Sequence, residues 1–379
     1  MLIGVPREVV PGERRVALVP ESVAKFVKAG TNVVVERGAG DAAAFPDAAY
    51  EKAGATIADA AGVFARSDLI AKVARPTGDE LHRMRAGQAL VAFLAPLGDP
   101  ASVDAYAKAG ITALSMDAIP RTTRAQSMDA LSSQANIAGY KAVLLAAAVS
   151  PRFFPMLTTA AGTIRPQRAF ILGAGVAGLQ AIATARRLGA LVSAFDTRPV
   201  VKEQVMSLGA TFVELDLGEV DGAGAGGYAK ALSADQEVRQ QEKLAEYMAA
   251  IDIVITTAAV PGRKAPVLVT EAAVRGMKPG SVIVDLAAES GGNCELTQAG
   301  KIVERHGVTI VGTTNLPSTM PTDASTLYSR NVFALLALFV KDGAFAPNYE
   351  DEIVAGTTLT RDGTIVHEPT TKALAGSNA

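Results

Sequence analysis

The stretch that most constrains this chain is Phe170-Ile171-Leu172-Gly173-Ala174-Gly175-Val176-Ala177-Gly178-Leu179-Gln180. An apolar run enters three glycines spaced Gly173-x-Gly175-x-x-Gly178, and helix formers follow to Leu188, so a strand, a tight turn and a helix are expected. Gly173 permits the turn, Gly175 lets backbone approach a pyrophosphate, and Gly178 lets the helix lie close on the sheet. The helix N-terminus then faces the phosphates with its free N–H groups. Glycine-rich turns are common, so the spacing alone is weak. A second strand, Ala190 to Phe195, strengthens it by ending at Asp196, twenty-one residues past Gly175, where a carboxylate accepts the ribose hydroxyls of an adenosine. The negative charge of Asp196 argues for NAD over NADP, because it would repel a 2′-phosphate. The competing reading is a plain strand–helix turn with an incidental acidic residue.

At 379 residues the chain exceeds one compact core, so two domains are expected. Residues 1 to 120 alternate short strands (Leu2 to Val5, Asn32 to Glu36, Leu69 to Val73, Leu90 to Leu94) with helices around Pro20 to Ala29 and Asp47 to Lys52. That alternation implies a parallel sheet covered by helices. Its phrases recur: Ala53-Gly54-Ala55-Thr56 matches Leu208-Gly209-Ala210-Thr211, and Asp68-Leu69-Ile70 matches Asp252-Ile253-Val254. The expected fold is therefore α/β, with two Rossmann-like doubly wound parallel-sheet domains and a cleft between them. The periodicity of Arg124 to Val149 suits a long connecting helix, and Ala324 to Val340 suits a helix returning to the first domain, which makes that domain discontinuous. The expected boundaries are 1–125 plus 325–379 for the first domain, 126–150 for the connecting helix and 151–324 for the dinucleotide domain. The tail around Arg361-Asp362-Gly363-Thr364 reads as a hairpin.

Charged residues make up 20% of the chain and the net charge is −2, with no basic stripe beside aromatic residues, so nucleic acid is not an expected partner. The one cysteine, Cys294, cannot form an internal disulfide and fits a reducing compartment. Met1-Leu2-Ile3-Gly4-Val5 reads at once as a strand rather than a leader. No apolar run approaches the roughly 18 residues that span a bilayer, so any membrane link is expected to go through a partner. The histidines, His82, His306 and His367, are expected to face solvent, and no cluster has metal-ligand spacing.

A polar run at the expected domain junction, Arg121-Thr122-Thr123-Arg124-Ala125-Gln126-Ser127-Met128-Asp129-Ala130-Leu131-Ser132, is the best candidate for chemistry. Arg121 and Asp129 are placed to pair, and the Gln126 amide can both donate and accept. A charged helix cap explains the same residues. Arg15 and Lys72, near strand ends of the first domain, either hold a carboxylate or serve structure. The five glycines between Gly218 and Gly227, ahead of Tyr228, are either a surface loop or a lid.

With these residues in hand the chain resembles the NAD(H)-binding alpha-1 subunit (domain I) of proton-translocating transhydrogenases, a family related to alanine dehydrogenases. The resemblance rests on Gly4-Val5-Pro6-Arg7-Glu8 with Arg14-Arg15-Val16-Ala17-Leu18, on Arg124-Ala125-Gln126-Ser127-Met128-Asp129-Ala130-Leu131-Ser132-Ser133-Gln134, on Met156 to Thr163, and on the glycine turn. It implies NADH bound by this chain, NADP(H) bound by a partner subunit, and a membrane-spanning subunit that couples hydride transfer to proton translocation. It places such a chain on the cytoplasmic face of the inner membrane through those partners. Arg121, Gln126, Asp129 and Ser132 are then expected beside the nicotinamide, Gly173, Gly175, Val176 and Gly178 at the pyrophosphate, and Asp196, Thr197 and Arg198 at the adenosine ribose. Gly227, Tyr228, Gln240 and Ala259 are further expected cofactor contacts, which favours the lid. Alanine dehydrogenases carry a histidine after an apolar strand where this chain has Ala95-Pro96, so keto-acid amination lacks a proton donor here. An alanine dehydrogenase-like oxidoreductase and a non-catalytic NAD(H) sensor remain as alternatives. A homodimer is expected, built on the apolar helix Asn331 to Val340.

Overall fold

A computed structural model describes residues 1–215, 233–259 and 262–377. The chain divides into two compact units, Met1–Gln134 with Pro317–Ala379 and Ala135–Leu316.

The first unit is built on strands β1 (Leu2–Val5), β2 (Asn32–Glu36), β3 (Thr56–Ala58), β4 (Leu69–Ala71), β5 (Ala89–Ala92) and β6 (Thr112–Ser115). They lie in the order β3-β2-β1-β4-β5-β6, all parallel. The central strands are buried throughout, as continuous aliphatic runs in a two-sided sheet must be. Alternate residues feed opposite faces: Val33, Val35, Leu69, Ala71 and Val91 enter one core, while Val34, Ile70, Leu90 and Ala92 enter the other.

The returning helix, Pro321–Leu336, completes the first of these cores. Val332, Leu335, Leu336 and Phe339 are fully buried there beside Ile3 and Val5. This corrects the expectation that the apolar run Asn331 to Val340 exceeds what the first domain needs and forms a dimer contact. Each such side chain contributes about 1.5–3 kcal/mol by leaving water, and it does so within its own unit. Beyond the helix, β16 (Val340–Lys341) pairs with β17 (Ala344–Phe345), and β18 (Thr360–Arg361) pairs with β19 (Thr364–Ile365), the hairpin read from Asp362-Gly363. The second hairpin lies on the open edge of the sheet. Leu359 N–H donates to Ala113 O at 2.8 Å and Ala113 N–H donates to Thr360 Oγ1 at 3.0 Å, which satisfies edge groups of β6.

The second unit repeats the plan with β9 (Arg168–Leu172), β10 (Leu191–Phe195), β11 (Thr211–Phe212), β12 (Ile253–Thr256), β13 (Val282–Asp285), β14 (Ile302–Arg305) and β15 (Val308–Val311). Their order is β11-β10-β9-β12-β13-β15-β14, parallel except for β14. Ahead of them β7 (Leu157–Thr159) and β8 (Gly162–Ile164) form an exposed hairpin. Both sheets are therefore Rossmann-like, each with its strand order reversing beside its first strand, at β1/β4 and β9/β12.

The helix expected from Arg124 starts later. Thr123–Met128 is a 3₁₀ turn, and the α-helix runs Ala130–Val149. Asp129 causes the break by capping: its Oδ1 accepts from Ser132 N–H at 2.9 Å and its Oδ2 from Ser132 Oγ at 2.6 Å. Among the described residues no helix is long and apolar enough to cross a membrane.

Candidate dinucleotide site

The glycine turn of the second unit has the geometry its spacing demands. Gly173 sits at φ +97°, and a Cβ there would stand 2.5 Å from Thr257 Oγ1, so only glycine fits. Gly178, in the first turn of the helix Val176–Arg187, has no room for a side chain either, because a Cβ would overlap the Gly173 carbonyl. Gly175 differs. It is the N-cap of that helix, no side chain caps the helix start, and the nearest atom to an added Cβ is Arg198 Nη2 at 3.9 Å. The turn thus presents bare backbone and unused N–H groups at a helix N-terminus beside the point where the strand order reverses. An anionic diphosphate satisfies such groups, and the macrodipole favours it.

Asp196 closes one end of this turn from the tip of β10. Its Oδ2 accepts from Ala174 N–H at 2.7 Å and Arg198 Nη2 at 2.8 Å; its Oδ1 accepts from Arg198 N–H and Nε, both at 2.9 Å. Burial alone would raise this carboxyl, but the hydrogen bonds from Arg198 and Ala174 outweigh burial and hold it below its ordinary range. Four donors fill the roughly four lone-pair sites of a carboxylate, so a ribose diol must take the place of an Arg198 contact. The structure modifies the sequence argument here: the charge expected to repel a 2′-phosphate is paired with a guanidinium two residues on.

Sequence reading overlooked Thr257, which borders the other side of the turn. It follows β12, its N–H donates to Leu172 O at 2.8 Å, and its Oγ1 donates to Gly173 O at 3.0 Å. A threonine placed directly after an apolar strand was the available signal. Ala258 and the exposed Ala259 come next, while Gln240 is buried on the helix Ala234–Met248 with Leu244 and Met248. Thr197 is half-buried beside Asp196. Gly227, Tyr228 and the glycine-rich insertion lie outside the described residues.

In the first unit the polar run is a fixed platform. Ala125 and Met128 are buried in the core, Asn331 Nδ2 donates to Ser127 O at 2.8 Å, and Ser133 Oγ donates to Asn331 Oδ1 at 2.7 Å. Arg124 is held by Asp351 through two bonds of 2.6 and 2.7 Å, and that arginine pulls the Asp351 carboxyl down to about 2. Arg121 and Gln126 stay exposed, whereas Asp129 and Ser132 form the helix start. The helix-cap reading therefore accounts for Asp129, and Gln126 is the residue of the run whose amide is presented outward from a rigid turn.

Arg15 and Lys72 are not open cations. Lys72 is wholly buried, 3.0 Å from Glu8 and 2.7 Å from Glu80, and Arg15 is bound to Glu13 at 2.6 Å and to Gln134 at 2.9 Å. After β5, where the histidine of an amino-acid dehydrogenase is expected, Leu94 and Ala95 donate their N–H groups to the Asp117 carboxylate at 3.1 and 2.7 Å. Of the histidines, His367 is half-buried with Nδ1 2.7 Å from Thr370 Oγ1, which corrects its solvent-facing reading; burial lowers its pKa.

Comparison with known proteins places this architecture. Models of the alanine dehydrogenase/PNT N-terminal and C-terminal domains match residues 4–138 and 142–368. The chain belongs to the alanine dehydrogenase/PNT family. It is 49% identical over 388 residues to an NAD(P) transhydrogenase subunit alpha chain of Rhodospirillum rubrum, with 100% of each chain covered. A solved structure of transhydrogenase from Sinorhizobium meliloti superposes with a TM-score of 0.88 at 48% identity, over 96% of this chain and 100% of that one. Alanine dehydrogenase is a more distant relative: the Bacillus subtilis protein is 30% identical over 388 residues, spanning 99% of this chain and 95% of its own.

Proposed function

We propose that this chain is the NAD(H)-binding subunit of a proton-translocating NAD(P)⁺ transhydrogenase. It exchanges hydride between NADH and NADP⁺ held on a separate subunit, and a membrane-spanning subunit couples that exchange to proton movement. The observation that carries the reading is similarity to a transhydrogenase subunit alpha chain at 49% identity with both chains matched end to end. On this reading the chain works as a homodimer and meets the cytoplasmic face of the inner membrane through its partners.

The nicotinamide group supplies the hydride chemistry when bound, so the chain's task is to bind and orient. Gly173, Gly175, Gly178 and the N–H groups from Val176 onward hold the diphosphate. Asp196, Thr197 and Arg198 take the adenosine ribose, and Gly227, Tyr228, Gln240 and Ala259 add contacts. Arg121, Gln126, Asp129 and Ser132 serve the nicotinamide end, with Asp129 fixing Ser132 and Gln126 offering one donor and one acceptor. The alanine dehydrogenase alternative is disfavoured by Ala95 in place of a histidine and by the carboxylates that already occupy Lys72 and Arg15.

The test is hydride exchange from NADH to an NADP analogue by the purified chain, with and without a transhydrogenase NADP(H)-binding domain. Exchange that requires the added domain supports the proposal; rapid pyruvate-plus-ammonia reduction by the chain alone refutes it. Within that assay Gln126→Asn, which shortens the amide's reach by one methylene, is expected to slow exchange ~10-fold while NADH affinity stays within ~2-fold. A large affinity loss would make Gln126 a binding residue instead.

Arg198 carries a separate prediction. Because it neutralises Asp196, Arg198→Ala should leave an uncompensated carboxylate beside any 2′-phosphate and widen the preference for NADH over NADPH by ~10-fold, the effect of about 1.4 kcal/mol of added repulsion. Titrating both nucleotides against both proteins measures it. An unchanged ratio would mean that the Asp196 charge does not set the preference.

A further inference from the structure

Asn293 is fully buried, lies far from the glycine turn in sequence, and organises one wall of the candidate dinucleotide site. Its Nδ2 donates to Ala258 O and to Pro266 O, both at 2.8 Å, and its Oδ1 accepts from Ala258 N–H at 3.0 Å. Its own carbonyl accepts from Leu268 N–H at 2.8 Å and Val269 N–H at 3.0 Å. One residue therefore holds both ends of the segment that leaves β12, and at Ala258 it engages donor and acceptor of a single residue, as a paired strand would. The two preceding glycines, Gly291 at φ +100° and Gly292 at φ +80°, allow the chain to deliver Asn293 to that position.

The held segment is where the rest of a dinucleotide must pass. Asp196 marks the adenosine end, on the β10 side of β9, and the diphosphate belongs at the turn after β9. The remaining half then runs toward β12, whose exit is Thr257-Ala258-Ala259. Thr257 ties that exit to the glycine turn through Gly173 O, and Asn293 ties it on the far side. Among the described residues the exit is thus fastened from two directions.

We propose that Asn293 is a positioning residue for the nicotinamide half of the bound dinucleotide, acting through the Ala258–Ala259 backbone and never touching the ligand itself. The inference rests on the NAD(H)-binding reading above. Asparagine is required because only an amide both accepts from Ala258 N–H and donates to two carbonyls. Aspartate of the same shape turns both donor contacts into oxygen–oxygen repulsion, and serine is too short to reach all three partners.

The experiment compares NADH with ADP, which carries the adenosine and diphosphate only. Asn293→Asp and Asn293→Ser are expected to weaken NADH ~10-fold, as loss of buried hydrogen bonds warrants, while ADP affinity stays within ~2-fold. Equal losses for the two ligands, or no loss, in a variant that keeps its circular dichroism spectrum would overturn the proposal. A folding defect in both variants is met by amide exchange on the unaltered chain: NADH but not ADP should slow exchange at Ala258 and at Leu268, and identical protection by the two ligands would sink the idea. Should the unaltered chain bind neither nucleotide, it is the NAD(H)-binding reading that fails, not the role of Asn293 within it.

Discussion

Gly178→Ala should cost at least ~100-fold in NADH affinity, because one methyl group has nowhere to go on either side of the helix that caps the diphosphate. A Cβ at residue 178 would overlap the Gly173 carbonyl oxygen and lie 2.9 Å from its carbon. The helix cannot simply move out. On its other side Gly139 of the helix Ala130–Val149 already packs at backbone distance on Ala177, with 2.9 Å between a Cβ added at Gly139 and the Ala177 carbonyl carbon. Relief must therefore come from the turn itself, by displacing Gly173 or rotating the first helical turn. Either movement takes the N–H groups off the position where a phosphate meets them, and it strains the Thr257 bond to Gly173 O. A stability loss of about 1–3 kcal/mol should accompany the change, typical of overpacking against backbone. Fluorescence titration with NADH and thermal unfolding measure both effects. Affinity within threefold of the unaltered chain would show that the turn is slack and that diphosphate binding lies elsewhere.

This turn was legible because glycine acts locally: each of its three roles depends on backbone within a few residues, and spacing records that directly. The sheets were legible for a related reason. Runs such as Leu69-Ile70-Ala71 and Ala89-Leu90-Val91-Ala92 have no polar face to give water, so they belong inside a covered parallel sheet, and both units show the strand order that the repeated phrases suggested. Residues whose meaning depends on a distant partner were not legible. Lys72 looks like a free cation until Glu8 and Glu80 are found against it. The apolar excess of Asn331 to Val340 looks like an interface until β1, from the opposite end of the chain, is found beneath it. Asp129 sits in a run with helical periodicity, and only the capping geometry shows that it ends one turn and begins another. Arg198 lay two residues from Asp196 in plain view; what sequence could not give was that its side chain folds back onto the carboxylate instead of away from it.

Lys72→Met should destabilise the first unit by about 3–5 kcal/mol, the cost of breaking a buried ion pair from one side. The ammonium stands between two carboxylates that are almost sealed from water, and each carboxylate is anchored elsewhere: Glu8 Oε1 accepts from Val73 N–H at 2.6 Å and Glu80 Oε2 from Thr77 N–H at 2.8 Å. Neither can turn outward when the ammonium goes. Burial alone would push Lys72 down, but the two carboxylates outweigh it and hold its pKa above the ordinary value. Burial raises Glu8 despite the attraction of Lys72. Removing Lys72 leaves that burial unopposed, so the Glu8 carboxyl of the variant rises further. A carboxyl raised on folding favours the native state below its unfolded pKa and withdraws that support as pH climbs through the folded one. The gap in unfolding free energy between variant and unaltered chain should therefore be smaller at pH 5 than at pH 8, and Glu8→Gln added to Lys72→Met should recover part of it. Urea unfolding at the two pH values tests both statements. If Lys72 were instead poised to hold a keto acid, the same change would spare stability and pyruvate would raise the melting temperature of the unaltered chain. A lysine neutralised twice over by its own protein has no charge left to offer a substrate, which is why the expected deficit is one of folding.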